Sequence, residues 1–295
     1  MKHSCRLASI AALFLPLLLA GCSLFPTTRK LPVPRPPLIV QTATPEELVA
    51  SLNQRWEELN TLTATVEIQA SVIKTREGVA KDYPTLHGHI LMRKPAMLRV
   101  LGQYLGVRFF DMASDGEQFT LSIPPQNKAI EGSTALKKKS LNVFENLRPG
   151  FFFDAMVVRG LEPDDLYSVV ADTETVEDAA RKHLFTVPEY ILSISRPKPG
   201  SRALTPVRVV TFGRDNLLPS QQDIYDSEGN LETLVFYSAY RDFEGHEYPS
   251  SIKIKRPMEE IQIILTVDSV KENQPLTDDQ FVVKIPDGTP TQKLE

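Results

Sequence analysis

The sequence predicts an α+β fold dominated by one large antiparallel sheet, curled or barrel-like, with few helices. Three observations predict it. Apolar and polar residues alternate at period two through about ten or eleven successive segments, the pattern of half-buried strands. Turn residues separate these segments at short intervals, and the βαβ rhythm of a parallel sheet is missing. Only two stretches, residues 45–59 and 140–160, carry helical spacing.

The chain opens with Lys2 and Arg6, an apolar run over residues 7–20 that contains Pro16, and the small-residue end Gly21-Cys22. A spanning helix needs roughly 20 apolar residues, so residues 1–21 read as a cleaved secretion signal. Leu19-Ala20-Gly21-Cys22 resembles the lipobox of bacterial lipoproteins. That resemblance implies cleavage between Gly21 and Cys22, and a diacylglycerol on the Cys22 thiol. Each buried methylene of an acyl chain such as palmitate contributes about 0.8 kcal/mol, and more than one chain makes attachment stable. Residues 22–44 form a tether rich in proline, with Pro26, Pro32, Pro34, Pro36 and Pro37. At about 3.1 Å per residue such a segment reaches on the order of 60 Å. A passive spacer has the same physics.

Composition narrows the function. Loss of Lys2 and Arg6 with the signal moves the net charge from −4 to −6, which argues against a nucleic-acid partner. Lys137-Lys138-Lys139 reads as a solvated loop. Cys5 leaves with the signal, so neither a disulfide nor a cysteine metal site is expected.

The folded domain, residues 45–290, begins with a marked helix. Thr44-Pro45-Glu46-Glu47 supplies an N-cap, a first-turn proline and a capping-box acid. Leu48, Leu52, Trp56 and Leu59 then make one apolar stripe. Strands follow. Residues 62–72 alternate Leu62, Ala64, Val66, Ile68, Ala70 and Val72 against polar neighbours. Leu86, Ile90 and Met92 share a face opposite His87, His89 and Arg93. Further strands are expected at 97–104, 107–114 and 119–123, the last with Phe119 and Leu121 on one face after a turn at Asp115-Gly116.

Residues 140–160 read as a helical pair broken at Pro149-Gly150. The second half resumes with expected strands at 183–195, 206–213, 219–226, 231–241, 250–256 and 259–270, with a hairpin turn at Asp226–Asn230. Ile252 and Ile254, then Ile261, Ile263 and Leu265, face inward.

So wide a sheet has a broad apolar face and few helices to cover it. Either the helices fill the hollow, or a cavity remains that accepts acyl chains. The candidate cavity lining is Val66, Ile68, Ile90, Met92, Phe119, Leu121, Ile252, Ile254, Ile261, Ile263 and Leu265. Phe151, Phe152, Phe153 and Met156 stand where a lid would, or else belong to an ordinary core. Catalytic signals are missing: there is no G-x-S-x-G elbow and no P-loop. His87 and His89 share a strand face, but no third metal ligand lies at a diagnostic spacing. No enzyme, cofactor or metal is therefore expected.

The order of amphipathic helix, long strand, "GHILMRKPAMLRV", the turn "SDGEQF", a helical insertion and late strands including "FGRDNLLPSQQDIYDSEGN" and "YPSSIKIKRP" resembles the LolA/LolB superfamily of bacterial lipoprotein carriers and lipid-binding lipoproteins. The resemblance spans most of residues 45–286. It implies an unclosed half barrel of about eleven strands, with helices as a lid over its concave face and acyl chains held in the hollow. The lipobox is similar to that of the membrane-anchored receptor of the superfamily, which accepts cargo from a soluble carrier protein. Ser23 after Cys22 implies the outer membrane, facing the periplasm. Leu105-Gly106, in "GQYLGVRFF", matches a leucine-glycine loop that aids membrane insertion in that receptor, although a buried hairpin leucine is the competing reading. One departure concerns the lid: the soluble carriers tie it with an arginine directly before the proline, and this chain has Lys94 there with Arg93 one residue earlier, on the opposite strand face.

Two functions of different class follow, beside the bland one of a structural lipoprotein with a solid core. The first is a lipid-anchored envelope protein that binds acylated cargo, lipoprotein or lipid, and passes it to the membrane. The second is an envelope sensor or assembly factor using the same scaffold to bind a protein.

Overall fold

The structure is a computed structural model describing residues 40–74, 77–135, 148–177 and 184–294. The signal segment with Gly21, Cys22 and most of the tether, the lysine run, residues 140–147 of the helical stretch and His183 lie outside the described residues. The chain divides into two compact units, Met1–Pro36 with Thr175–Thr186, and Pro37–Glu174 with Val187–Glu295. Of the first, only residues 175–177 and 184–186 are described. The second unit is the subject below.

Helix α1 spans Pro45–Glu58 and opens on the expected capping box. Thr44 Oγ1 accepts from the Glu47 amide at 3.2 Å, and the Thr44 amide donates to Glu47 Oε2 at 2.7 Å. Two orphan amides of the first turn are thus satisfied. Leu48, Leu52 and Leu59 are buried along the predicted stripe, and Trp56 is half-buried.

Seven strands precede the interruption: β1 (Thr61–Lys74), β2 (Val79–Asp82), β3 (Leu86–Arg93), β4 (Met97–Tyr104), β5 (Val107–Ser114), β6 (Gln118–Ile123) and β7 (Lys128–Ser133). After α2 (Pro149–Met156) come β8 (Leu166–Glu177), β9 (Leu184–Pro197), β10 (Leu204–Gly213), β11 (Pro219–Tyr225), β12 (Leu231–Phe243), β13 (His246–Arg256), β14 (Ile261–Glu272) and β15 (Thr291–Leu294). All belong to one unclosed sheet in the order β15-β7-β6-β5-β4-β3-β1-β14-β13-β12-β11-β10-β9-β8, with β2 beside β1. The first and last long strands pair antiparallel, Leu62 with Glu272 through to Val72 with Ile261, and join the two halves at the centre.

The described sheet has 15 strands, not the expected eleven. The four additional strands are β2, β7, β8 and β15, and each lacks the alternation that betrays a strand. Every residue of β2 is exposed, so it has no buried face. β8 forms one edge and leaves Leu166, Tyr167 and Val170 exposed. β15 pairs in parallel with β7 at the other edge. In β7 the neighbours Ala129 and Ile130 are both buried, so both faces are covered. Period two marks only strands with one wet and one dry face.

The inner face carries the main core, from Leu62, Val66 and Ile68 on β1 to Ile252 and Ile254 on β13. Gly102 is required there because an added Cβ would lie 2.4 Å from Cε1 of Phe110. Gly102→Ala is expected to cost about 1–3 kcal/mol, the overpacking range; an unchanged urea midpoint would show that the Phe110 ring yields freely. On the outer face the chain after β14 crosses β3 and β4. Arg93 Nη1 donates to the Leu276 carbonyl and Arg99 Nη1 to the Gln280 carbonyl, each at 2.9 Å, while Phe281 is buried beneath.

Candidate functional site

The site is built around α2. Pro149 at its first turn fits a position whose amide needs no partner, and the run Phe151-Phe152-Phe153 drives the helix onto apolar surface. Six of its eight residues are buried: Pro149, Phe151, Phe152, Phe153, Ala155 and Met156. It packs against β4, β5 and β13 on the inner face. Phe151 stacks on Phe152 at 4.4 Å between centroids, and Phe153 meets Trp56 of α1 edge-on at 6.4 Å.

A helix end leaves carbonyls unpaired, and burial makes that costly. Sheet side chains serve as caps here. Tyr248 Oη donates to the Met156 carbonyl at 2.6 Å, and Gln222 Nε2 donates to the Asp154 carbonyl at 2.8 Å and to Tyr237 Oη at 3.1 Å. Just beyond, Arg208 Nη1 donates to the Arg159 carbonyl at 2.6 Å. Burial pushes the Tyr237 and Tyr248 hydroxyls well above the ordinary tyrosine range, so both remain proton donors. Arg159 pairs with Asp154 at 2.6 Å and lies over the Phe153 ring at 4.8 Å. The helix is therefore held by polar ties at its C-terminal end, by Arg256 over the Phe151 ring near its start, and by contact area elsewhere.

Unfilled space flanks α2 on both sides. A cavity of about 150 Å³ separates its end from α1, lined by Leu52, Trp56, Met156, Val158, Tyr237 and Tyr240 among others. A second, about 50 Å³ and almost wholly apolar, lies against Phe152 with Ile68, Leu86, Phe110, Ile261 and Ile263. A cavity of about 150 Å³ accepts one benzene ring. The hollow is thus filled by aromatic side chains.

All eleven candidate lining residues, Val66 through Leu265, fall in one buried cluster with Phe151, Phe152, Phe153 and Met156. Ile68, Ile261 and Ile263 reach the smaller cavity, and Met156 the larger. Lys94 and Arg93 do point to opposite sides. Lys94 Nζ donates to the Trp56 carbonyl at the end of α1 and lies 4.6 Å from that ring, whereas Arg93 holds the C-terminal segment. Two arginines touch α2 instead: Arg159 over the Phe153 ring, and Arg256 of β13 over the Phe151 ring at 5.2 Å. Sequence reasoning missed both, together with Gln222, Tyr237 and Tyr248; the available signal was a polar residue at inward positions of apolar strands.

Leu105 is not a buried hairpin leucine. It and Gly106 form the two-residue turn between β4 and β5, both with positive φ, 48° and 78°. Leu105 is 87 % exposed, and Tyr104 and Val107 beside it are also exposed. Such a turn favours Asn or Gly, and a leucine there costs roughly 1–2 kcal/mol. On the outer face, sheet register places Glu67, His87 and Asp268 with one ligand atom each within 4.8 Å, so a third potential donor comes from β14, beyond the reach of local spacing.

No family model and no curated protein matches the chain. Among solved structures it is similar to a LolA superfamily protein of Nitrosomonas europaea, at 12 % identity over 82 % of this chain and 99 % of that one, with a TM-score of 0.48. A DUF1329 family protein of Desulfovibrio piger is similar at 14 % identity over 80 % and 94 %, TM-score 0.47. A Vibrio parahaemolyticus domain described as outer membrane lipoprotein-sorting is similar at 11 % identity over 79 % and 92 %, TM-score 0.44.

Proposed function

We propose that the protein is a lipid-anchored envelope carrier that takes acyl chains of a lipoprotein or lipid beneath α2 and delivers them to the outer membrane, with Cys22 as its own anchor and a soluble carrier as donor. The observation that carries this reading is the placement of α2: an apolar plug of eight residues on a broad apolar face, with unfilled space on both flanks. Swinging the plug out and an acyl chain in exchanges one apolar contact for another, so the net free energy is small and the exchange reversible. No covalent step is needed.

Trp56, the single tryptophan, lines the larger cavity and touches Phe153, so it reports on the plug. Titration with an N-palmitoylated peptide is expected to shift its emission saturably, and gentle purification followed by organic extraction to yield about one acylated ligand per chain. A protein that comes out empty and shows no shift sinks the carrier reading. The filled interior favours the second reading, a sensor or assembly factor that binds a protein, and that outcome would leave it standing.

The turn residue gives a separate prediction. In this reading Leu105 enters the bilayer during delivery and is kept there despite its backbone cost. Leu105→Asn should raise the unfolding free energy by about 1 kcal/mol while slowing transfer of the palmitoyl peptide to vesicles. Unchanged transfer would remove the role of Leu105.

A further inference from the structure

We infer that the cleft beside Arg208 is a binding site for a phosphate group, either free phosphate or the phosphomonoester of a lipid headgroup. The inference is independent of the carrier reading. Arg208 lies on β10, on the same strand face as the buried Val210 and Phe212, where the alternation calls for an apolar side chain. It is 8 % exposed. Its Nη1 is tied to the Arg159 carbonyl at 2.6 Å, and its Nε is buried with no hydrogen-bond partner.

The carboxylates whose charge reaches Arg208 are Asp154 and Asp165, and both are occupied. Asp154 Oδ1 takes Arg159 Nε at 2.6 Å. Asp165 Oδ1 takes Arg196 Nη2 at 2.7 Å, and its Oδ2 accepts the Glu162 amide at 2.9 Å. Burial pulls the Arg208 guanidinium below the ordinary arginine value, and Asp154 offsets this only in part. A guanidinium stays protonated all the same, so a buried positive charge is left without its own countercharge. That is one of the costliest features a fold can carry. Water satisfies a donor without neutralising a charge, whereas an oxyanion does both.

Arg208 forms part of the wall of an open cleft of about 420 Å³, bounded by β9, β10 and the segment that leads from α2 to β8. That volume lies within the range of small-molecule sites, about 300–1,000 Å³. Arg159 and Arg196 line the same cleft, so three guanidiniums border one space. A guanidinium meets phosphate or carboxylate oxygens through paired bonds. A carboxylate offers two oxygens to share among three arginines, and a phosphomonoester offers three. Glu162 and Asp164 line the cleft as well, but both are exposed, so water and salt screen them. The buried charge of Arg208 escapes that screening and decides the sign of the ligand.

The test uses the full chain with Cys22→Ser, which lacks the acyl anchor, and calorimetric titration with sodium phosphate or with dihexanoyl phosphatidic acid below its micelle concentration. The parent is expected to bind, and Arg208→Met to bind about thirtyfold more weakly, the loss of charge-assisted hydrogen bonds. Arg202→Gln, which removes the same charge from an exposed turn, is expected to bind like the parent. Arg208→Lys keeps the charge without the fork and is expected to lose about tenfold; it serves where Arg208→Met fails to fold. Phosphate should also raise the urea midpoint of the parent and not of Arg208→Met. Lipid binding at least tenfold tighter than phosphate, and lost with Arg208, assigns the site to a headgroup; a smaller ratio assigns it to free phosphate. A parent that binds neither probe overturns the site, as do Arg208 variants that bind phosphate like the parent. Lipid binding that survives Arg208→Met, with no binding of phosphate, belongs to the acyl chains and overturns it too. The Trp56 titration judges the carrier reading separately.

Discussion

Phe152→Ala is expected to lower the unfolding free energy by about 3–5 kcal/mol and yet to increase the uptake of acyl chains. Phe152 is 1 % exposed, stacks on Phe151 and forms one wall of the smaller cavity. Removing its ring deletes that wall and leaves a larger apolar void, because close-packed surroundings relax only partly. A ligand that occupies the void restores the lost contacts. The two effects have opposite signs only if acyl chains and the plug compete for the same surface. Urea unfolding gives the stability loss, and native mass spectrometry with the palmitoyl peptide gives the uptake. A variant that is destabilised without binding more makes Phe152 ordinary core and removes the central support for the carrier reading.

Arg99→Met is expected to cost a similar 3–5 kcal/mol, the penalty for leaving a buried charge without its partner. Asp111 is fully buried on the outer face and receives Arg99 Nε at 2.9 Å and Nη2 at 2.8 Å. The remaining neighbour, Arg108, lies at 3.4 Å and is itself 44 % exposed, so it screens the carboxylate only in part. Arg99 Nη1 also holds the Gln280 carbonyl, so the variant frees the C-terminal segment as well. Limited proteolysis should then cut near residues 274–283 in the variant and not in the parent. Adding Asp111→Leu should recover most of the lost stability, since paired apolar replacements of a buried ion pair are often neutral. Failure to recover would mean that the segment contact dominates.

Some of the fold was legible because its signals are local. The capping box Thr44–Glu47 and the stripe Leu48-Leu52-Leu59 specify α1 within the helix and its two caps. Alternation named the inward residues of β1, β3, β6, β13 and β14, and all eleven candidates are buried. The edge strands β8 and β15 were not legible, because an edge has little buried face to enforce a period. The ties on α2 were not legible either. Gln222 lies on β11, and only packing tells that its amide meets a helix carbonyl and not solvent.

The sequence by itself determined α1, eleven of the fifteen described strands, their inward faces and the apolar character of residues 151–156. Each depends on neighbours within a turn or a strand. Tertiary structure alone decided that β1 lies beside β14, that the hollow is filled by the plug, and that Leu105 is exposed. Period two says which face a residue takes but not which strand lies alongside. Exposure of a turn residue depends on what else packs over it, and that is a property of the assembled sheet.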